Sequence, residues 1–506
     1  MQTLSNMPEV KMGLVAVSRG RLPIELPQRR LREVVAACRR MHIDVLPCDV
    51  IIKQETDVEQ AVAEMTKKGA NAFTIYLGNF GPEGATAILA QTLEKPVMLC
   101  GAAEESNNPM TFTERGDALC GLLSASVNCR LRHVRPYIPE MPIGLPQDIA
   151  TMIKHFADVA RVVLGVKNLK ILSFGPRPAD FYTCTAPIQP LYDLGVELME
   201  NSELDMHLLY QSVADRHREI EAIEHDMARE LGEGNRFPEK LRRMAQFELA
   251  LTIFLEANLG TRQYGIFANR CWPAFAKSFG FVPCFVNGRL ASRGIPAACE
   301  ADIYGALSQY MAQLATRHAA TLLDLNNNVP GDVHLPETKG TSRGDLFMGY
   351  HCGNTPICCL SDSRGMSYQP IMNRLMENGK DPEFTCGTIE GRLKAGAATL
   401  FRIHGTPDCR LRSYVAEGQI LEAAPSTFGT MGVFAIRDFM RFYRHVLLEK
   451  GFPHHTAVAF KHVGHILFDA LQLLDVEDVH IPRPRGAHYS DENPFASPEF
   501  SKAEVS

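Results

Sequence analysis

The stretch Met12–Val17, MGLVAV, is an uninterrupted apolar run that leads into the basic loop Ser-Arg-Gly-Arg. Similar runs follow at Ile43–Pro47, Ala72–Leu77 and Pro96–Cys100, and amphipathic segments such as Val58–Lys68 separate them. Short apolar runs that alternate with helical periods predict buried strands joined by crossover helices. We therefore expect a mostly parallel sheet with helices on both faces, in which ligands bind beyond the carboxyl ends of the strands.

A second series of apolar runs begins at Leu169–Phe174, which is followed by a Gly-Pro-Arg-Pro turn. The series continues with Tyr264–Ala268, Pro283–Val286 and Thr321–Leu325. The same alternation of strand and helix predicts a second α/β domain. No GxGxxG motif follows the first strand of the chain, which disfavours a dinucleotide site.

The character of the sequence changes beyond residue 350. Glycine, proline and short β-branched or aromatic runs, such as Ala398–Ile403 and Gly432–Ile436, outnumber long amphipathic helices there. This pattern favours an antiparallel sandwich or barrel. The predicted fold is an α/β protein with two Rossmann-like, doubly wound domains at residues 1–168 and 169–350. A smaller, β-rich, barrel-like C-terminal domain with a tail is predicted at residues 351–506.

The composition narrows the classes of function. A chain of 506 residues with 45% hydrophobic and 22% charged residues is typical of a globular protein. Its net charge of −6 provides no basic field for a phosphate backbone, so a nucleic-acid partner is not expected. The sequence contains no apolar run of membrane-spanning length and no signal-peptide core, so we expect no membrane partner and a cytoplasmic location. The 14 cysteines are scattered and form no zinc-ribbon spacing.

Two acidic residues stand at the start of a predicted helix in Cys299–Leu307, namely Glu300 and Asp302. Acids in a first turn often do no more than complement the helix dipole and cap free amides. A third acid, Asp324, ends the apolar run Thr321–Leu325. A carboxylate that follows a parallel strand lies at the edge where ligands bind, although it can also cap a turn.

Histidines are frequent in the last third of the chain and supply imidazole beside these carboxylates. A mixed set of oxygen and nitrogen ligands suits Mn²⁺, Mg²⁺ or Co²⁺, and no thiolate cluster indicates structural zinc. Any one of these histidines alone is more often a core or surface residue than a ligand. The candidates are His351, His404, His454, His455, His462 and His465.

Three motifs occur between residues 271 and 354. They are Cys271-Trp272-Pro273, the segment GIPAACEAD at residues 294–302, and Phe347 followed by HCGN at residues 351–354. Together they resemble the L-fucose and L-arabinose isomerase superfamily, in particular its fucose isomerase-like branch. The resemblance covers roughly residues 10–480 and implies two Rossmann-like domains followed by a β-barrel-like domain, the same division as above.

The resemblance also implies a metal site. In the fucose branch a glutamate, an aspartate and a third-domain histidine hold the metal, and these fall on Glu300, Asp324 and His455, with His454 in reserve. The arabinose branch has a second glutamate in place of the aspartate and adds a histidine like His351. His351 is therefore open as a fourth ligand, as a group that supports a ligand, or as a substrate contact. The implied cofactor is Mn²⁺, with Mg²⁺ or Co²⁺ as alternatives.

The implied activity is metal-dependent interconversion of an aldose and a ketose through a cis-enediol. A metal that chelates O1 and O2 would stabilise the charge developing on them, and Glu300 and Asp324 would shuttle the proton between C2 and C1. The substrate implied is a free monosaccharide similar to L-fucose or L-arabinose, or a modified hexose. A sulfonated, anionic hexose becomes conceivable because Arg343, Arg392 and Arg402 lie in motif-like surroundings.

Further residues are expected to bind the substrate, and some sites are expected to be completed across subunits of a homo-oligomer, a hexamer or trimer by resemblance. In the fucose isomerases an arginine from the loop after the first strand reaches a neighbouring subunit's substrate. The sole tryptophan could stack on a sugar or simply pack. The predicted substrate-binding residues are Arg19, Arg21, Trp272, His351, Asn354 and Arg392.

Two other classes of protein fit parts of the pattern. A non-catalytic sugar-binding protein can also be built from two Rossmann-like lobes, but it would have no reason to place Glu300 and Asp324 together. A metal-dependent sugar aldolase could share the carboxylates and histidines and would release two shorter fragments.

Overall fold

A computed structural model describes residues 5–20, 22–106, 113–336, 341–371, 382–423 and 427–493 of the chain. The described residues form two compact units, of which the smaller comprises Pro8–Gly165 with Asp469–Asp475. The larger comprises Val166–Phe468 and the described residues at both ends of the chain. Among the helices in these ranges, none has both the length and the apolar character needed to cross a bilayer.

The smaller unit is built on a parallel five-stranded sheet in the order β2-β1-β3-β4-β5. Strands β1 and β3 coincide with predicted apolar runs and are buried along their whole length. Its strands are β1 (Met12–Val17), β2 (Val45–Pro47), β3 (Ala72–Leu77), β4 (Val97–Ala102) and β5 (Ile143–Gly144). The helices in this part of the chain are α1 (Glu25–Arg40), α2 (Thr56–Lys67), α3 (Glu83–Leu93), α4 (Ala118–Leu131) and α5 (Pro146–Lys167).

The larger unit begins with a second parallel sheet, of four strands in the order β7-β6-β8-β9. These strands are β6 (Leu169–Phe174), β7 (Glu197–Asn201), β8 (Tyr264–Asn269) and β9 (Ala297–Ala298). The accompanying helices are α6 (Gln189–Asp193), α7 (Glu203–Ser212), α8 (His217–Leu231), α9 (Pro238–Asn258), α10 (Phe275–Phe279), α11 (Cys284–Ser292) and α12 (Ile303–Thr316). The two parallel sheets and their helices confirm the predicted α/β class.

The remaining strands form a nine-stranded mixed sheet in the order β12-β13-β16-β11-β10-β17-β14-β15-β18. They are β10 (Ala320–Asn327), β11 (Leu346–His351), β12 (Leu360–Tyr368), β13 (Cys386–Leu393), β14 (Gly396–Gly405), β15 (Leu411–Leu421), β16 (Thr430–Ala435), β17 (His455–Ala459) and β18 (Asp478–His480). Strand β15 also pairs with β16. Six antiparallel strands, β16-β11-β10-β17-β14-β15, thereby close into a ring. Short helices at Phe439–Phe442 and Gly464–Leu473 complete this part.

Two sequence-based expectations need correction. Thr321–Leu325 is a strand, but its sheet is the antiparallel ring and not the parallel sheet, because β10 pairs with β17 and β11. Pro283–Val286 is not a strand but the beginning of α11, since a short apolar run alone does not distinguish a buried helix from a buried strand. The boundary predicted at residue 350 falls within β11 of the ring, and the domain limits themselves stay a prediction.

The buried helix α12 links the two parts of the larger unit. Every residue of this helix is buried, and it packs against β8 of the parallel sheet and against β14 and β17 of the ring. A single apolar core runs from α9 and the parallel sheet into the ring, and it includes Phe247, Phe267, Leu323 and Phe434. The beginning of α12 is therefore held at the place where the parallel sheet meets the ring.

Candidate metal centre

Glu300 lies just beyond the carboxyl end of β9, in the short 3₁₀ turn Cys299–Ala301. Its backbone is left-handed, with φ of 59°, and Ala301 follows with φ of 54°. Non-glycine residues with such backbone angles cost about 1–3 kcal/mol each and concentrate at functional sites. The turn aims the Glu300 side chain into a buried cluster, where its carboxylate lies near His455.

Asp302, two residues later, has a different function. Its Oδ1 accepts a hydrogen bond from the amide of Gly305, so it caps α12 as the sequence allowed. A Cβ on Gly305 would lie 2.2 Å from the Asp302 carboxylate, so only glycine leaves room for this arrangement. Arg402, wholly buried on β14, donates two hydrogen bonds of 2.6 and 2.8 Å to the same carboxylate.

His455 lies between three carboxylates. Its Nδ1 is 2.7 Å from Asp302 Oδ2, and its Nε2 is 3.0 Å from Glu300 Oε2 and 3.3 Å from Asp324 Oδ1. Burial lowers the pKa of His455, but the neighbouring Asp302 and Glu300 raise it by more. The net pKa of His455 therefore lies well above the usual value. A positive charge at this position, whether carried by a proton or by a metal ion, is therefore strongly favoured.

Asp324 reaches the cluster through strand register. It pairs directly with His455 across the β10–β17 ladder and with Tyr350 across the β10–β11 ladder. Burial raises the pKa of Asp324 to about 7, with a smaller contribution from Glu300. Burial also raises the pKa of Glu300, but the neighbouring His455 and His351 outweigh it, and the net value is below the usual range. The two carboxyl groups thus differ in their affinity for a proton.

Two groups of side chains could hold a cation. In each group the ligand atoms all lie within 4.8 Å of one another. One group is Cys184, Glu300 and His455, and the other is Asp324, His454 and His455. Burial raises the pKa of Cys184, which disfavours the thiolate form that binds metals.

The donor atoms fit a divalent metal. Glu300 Oε2 and His455 Nε2 are both buried, and neither has a hydrogen-bond partner of acceptable geometry among the described residues. Buried polar atoms without a partner are costly, and a shared cation would satisfy both. Within the described part of the chain, the three carboxylates face a single guanidinium, that of Arg402, so a dication would compensate the remaining charge. A set of carboxylate oxygens and one imidazole suits Mn²⁺, Mg²⁺ or Co²⁺.

The two reserve histidines differ from His455. His454 is partly exposed, its Nε2 is 3.8 Å from Asp324, and its Nδ1 is 3.5 Å from the Thr183 hydroxyl. His351 is buried, with its ring centre 5.7 Å from that of His455. Burial lowers the pKa of each to about 4, so both are neutral imidazoles.

The tautomer of His351 follows from its neighbour. The amide of Cys352 donates a 2.8 Å hydrogen bond to His351 Nδ1. The neutral ring therefore carries its proton on Nε2, which has no partner among the described residues. In this form Nε2 is a hydrogen-bond donor, and ligation of a metal by His351 stays a prediction.

Of the predicted substrate-binding residues, Trp272 and Asn354 lie close to the cluster. Phe181 packs edge-on against both Trp272 and His454, at ring-centre distances of 5.3 and 6.0 Å. Asn354 is buried, and its Nδ2 lies 3.7 Å from Cys299 Sγ, next to Glu300.

The arginines singled out in the sequence have different surroundings where the structure describes them. Arg392 pairs with Asp362 and Glu422, whereas Arg402 is fully engaged by Asp302. Arg19 belongs to the smaller unit, where its guanidinium covers the Phe80 ring and lies 3.9 Å from Glu83. Arg21 lies outside the described residues. Substrate contact by Arg19, Arg21 or Arg392 stays a prediction.

The sequence analysis did not assign Asp302, Arg402 or Cys184 to the metal site. Arg402 carries a signal that could have been used, since an arginine inside the apolar run Ala398–Ile403 requires a buried anionic partner. Cys184 carries no comparable signal, because its position depends on how the loop after β6 folds.

The fold and the cluster define an α/β protein with a buried carboxylate–histidine centre where a parallel sheet meets an antiparallel ring. Residues 13–167 match the family model for the N-terminal domain of fucose/sulfoquinovose isomerase. Residues 349–480 match the model for the C-terminal domain of L-fucose isomerase. The chain belongs to the fucose isomerase-like family, which confirms the resemblance seen in its motifs.

Curated relatives are similar over part of the chain. The sulfoquinovose isomerase of Priestia megaterium is 26% identical over 324 residues, which is 63% of this chain and 66% of that protein. The sulfoquinovose isomerase of Alkalicoccus urumqiensis is 28% identical over 320 residues, 62% of this chain and 65% of that protein. The chain thus spans just under two thirds of the length of these relatives.

Proposed function

We propose that this protein is a divalent-metal-dependent aldose–ketose isomerase whose substrate is a hexose with an anionic, sulfonate-type group, such as sulfoquinovose. The observation that carries the proposal is the meeting of Glu300, Asp324 and His455 in one buried cluster, where Glu300 Oε2 and His455 Nε2 face each other at 3.0 Å without a hydrogen bond of acceptable geometry. Family membership and the names of the relatives support the same reaction.

Glu300, Asp324 and His455 are the proposed ligands of Mn²⁺, with Mg²⁺ or Co²⁺ as alternatives. When bound there, the ion supplies positive charge beside the sugar's O1 and O2 and stabilises the negative charge that develops on them. Asp302 holds His455 by Nδ1, which keeps Nε2 directed at the other two ligands.

The two carboxyl groups are proposed to move the proton. Glu300, whose pKa lies below the usual range, takes the proton from C2 of the aldose to give a cis-enediol. The proton is then delivered to C1, while the C2 hydroxyl proton is lost and O1 is protonated. Asp324, whose pKa is raised to about 7 without the metal, is suited to handle the oxygen-bound protons. Atoms and electrons balance within the sugar, so no redox cofactor is needed.

His351 and Trp272 are proposed to orient the sugar. The unpartnered Nε2–H of His351 can donate a hydrogen bond to a sugar hydroxyl beside the cluster. Trp272 is partly buried against Phe181 and can offer a face to the C–H surface of the ring.

The anionic group is proposed to bind Arg177. Arg177 follows β6, and its guanidinium lies 4.1 Å from the centre of the Tyr182 ring. The next residue, Thr183, contacts His454 in the cluster. Among the described residues no carboxylate lies within ion-pairing distance of Arg177, in contrast to Arg392 and Arg402. A half-buried arginine without an acidic partner beside the site can therefore recognise a sulfonate.

The test uses metal-stripped protein in D₂O with sulfoquinovose, L-fucose and L-arabinose, with and without Mn²⁺, followed by NMR. We expect metal-dependent conversion of the sulfonated aldose to its ketose and exchange at the carbon that gains the proton. No conversion and no exchange with any of these sugars would contradict the isomerase reaction. Release of two shorter fragments would indicate an aldolase, and binding without turnover would indicate a sugar-binding protein.

The role of Arg177 is tested separately with Arg177→Gln. The change is expected to raise KM for the sulfonated sugar by about 10- to 100-fold, as for loss of a charge-assisted hydrogen bond. Turnover of a neutral aldose should be unaffected. Arg262→Gln is the matched control, because Arg262 is also half-buried in the same unit but is already paired with Glu197. Equal effects of the two changes would exclude Arg177 as the anion contact.

A further inference from the structure

Helix α4 presents apolar residues on two opposite faces. Its inner face, with Leu122, Ala125 and Cys129, is buried in the core of the smaller unit. Its outer face carries a stripe of large apolar side chains at four-residue spacing. These side chains are 56–71% exposed. The stripe consists of Leu119, Leu123, Val127 and Leu131. A helix that faces solvent normally has a polar outer face, so this one lacks a partner.

The apolar surface continues beyond the helix. The segment after α4 leads to β5, the edge strand of the sheet, and Ile143 of β5 packs into the same core as Leu122. Ile138 and Met141 in this segment, and Leu145 just after β5, are 43–74% exposed. Among the described residues, 7 of the 15 exposed large apolar side chains lie between residues 119 and 145. Such concentration marks an interaction surface and not the usual scatter of single exposed residues.

The charges around the stripe are asymmetric. Glu114 and Asp117 precede the helix, with Asp117 paired to Arg115 and Glu114 leaving that end with a net negative charge, whereas Arg130 lies in its last turn and Arg132 follows it. Two such helices packed antiparallel would place the basic end of each against the acidic end of the other, and their dipoles would oppose favourably. The stripe is also symmetric about residue 125, so that Leu123 would face Val127, and Leu119 would face Leu131, of the second copy.

We infer that α4 is the surface through which two copies of this chain associate about a twofold axis, with their α4 helices antiparallel. A twofold interface uses the same patch on both subunits and must be self-complementary, as this stripe is. At roughly 100 Å² for each exposed side chain, the patch offers on the order of 700 Å² per copy, or about 1,400 Å² in the pair, above the roughly 1,000 Å² of a specific interface. The inference does not depend on the proposed reaction.

The first experiment measures the mass of the full-length protein in solution by light scattering and sedimentation. The wild type is expected to be oligomeric, and Leu123→Glu with Val127→Glu should weaken association by about 100-fold or more, because four carboxylates would meet at the axis. The matched control is Leu204→Glu with Leu208→Glu on α7, where the two leucines are 64% and 54% exposed. A monomeric wild type, or an assembly unchanged by the α4 substitutions, would overturn the inference.

A second experiment tests the same interface without introducing charges that could prevent folding. Leu123→Cys with Val127→Cys, in a background where the exposed Cys120 is replaced by serine, should form covalent dimers on mild oxidation. Leu204→Cys with Leu208→Cys in the same background should not. Failure of the α4 pair to cross-link beyond that control would also overturn the antiparallel arrangement, and docking of a different protein on the patch would leave it uncross-linked.

Discussion

The two carboxyl groups of the centre are positioned by different kinds of backbone. Glu300 follows the edge strand of the parallel sheet. It lies in a left-handed turn and not within a strand that pairs with neighbours on both sides. Asp324 and His455 come from neighbouring antiparallel strands and face each other in register. One half of the site is therefore held by loop strain and the other half by a regular ladder.

The turn at Glu300 and the ladder that holds Asp324 and His455 position their side chains in different ways. Strand register fixes the distance between Asp324 and His455, because the backbone hydrogen bonds on either side cannot shift without breaking. The turn at Glu300 can hold a carboxylate pointing inward at a cost in backbone energy that the buried neighbours repay. Substitutions on the two sides are expected to fail differently, and the following predictions test this from the largest effect to the smallest.

Glu300→Gln should abolish most of the activity while the protein stays folded. The amide keeps the shape but cannot accept the C2 proton, so kcat should fall by about 100- to 10,000-fold. The measurement is initial rate with the best aldose found, together with thermal unfolding. Glu422→Gln, on the surface of the same unit, is the control and should leave kcat unchanged. Retained activity in the Glu300 variant would contradict its role as base.

His455→Gln should weaken metal binding far more than His454→Gln. His455 is fully buried and lies within 3.3 Å of both carboxylates, whereas His454 is partly exposed and 3.8 Å from Asp324. We expect the Kd for Mn²⁺, measured by chelator competition on the apoprotein, to rise by more than about 100-fold for His455 and by less than about 10-fold for His454. Equal effects, or the reverse order, would make His454 the ligand.

Asp302→Asn should separate positioning from folding. Losing the negative charge that faces His455 Nδ1 is expected to raise the metal Kd by about 10- to 100-fold. The same change leaves Arg402 buried and unpaired, which should cost about 3–5 kcal/mol in the free energy of unfolding.

The double variant Asp302→Asn with Arg402→Met distinguishes the two effects of that change. Unfolding free energy should recover in large part, because no charge is left uncompensated, but the metal Kd should stay high. Recovery of both quantities together would mean that Asp302 matters only for stability.

Trp272→Leu should have the smallest effect. Replacing the aromatic face removes a contact worth about 0.5–1.5 kcal/mol, so KM for the sugar should rise about 2- to 10-fold with kcat nearly unchanged. Phe181 packs against Trp272, and Phe181→Leu controls for loss of packing alone. If KM is unchanged in the Trp272 variant, the tryptophan only packs.

Much of the fold could be predicted because its signal is local. The runs Met12–Val17, Ala72–Leu77 and Leu169–Phe174 are all strands with the predicted limits, since a buried parallel strand needs an apolar residue at nearly every position. The strand predicted at Pro283–Val286 was wrong, because these four residues are too few to reveal the helical period. The helix extends to Ser292.

The candidate site was predictable by residue type and only partly by geometry. The motif around Glu300 and the late histidines indicated the ligands, but Asp324 was expected at the end of a parallel strand and lies in the antiparallel ring. Which strands pair with β10 depends on residues far along the chain, and no local pattern reports it.

By itself, the sequence determined the α/β class, the apolar strands and the set of chemically capable residues, because these depend on composition and period along the chain. Only the tertiary structure decided that Arg402 is neutralised by Asp302, that Arg177 has no acidic partner among the described residues, and that Glu300 Oε2 faces His455 Nε2. These properties depend on which residues are neighbours in space: how deeply a group is buried, whether its charge is compensated and whether its polar atoms have hydrogen-bond partners. Those neighbours are far apart in the chain.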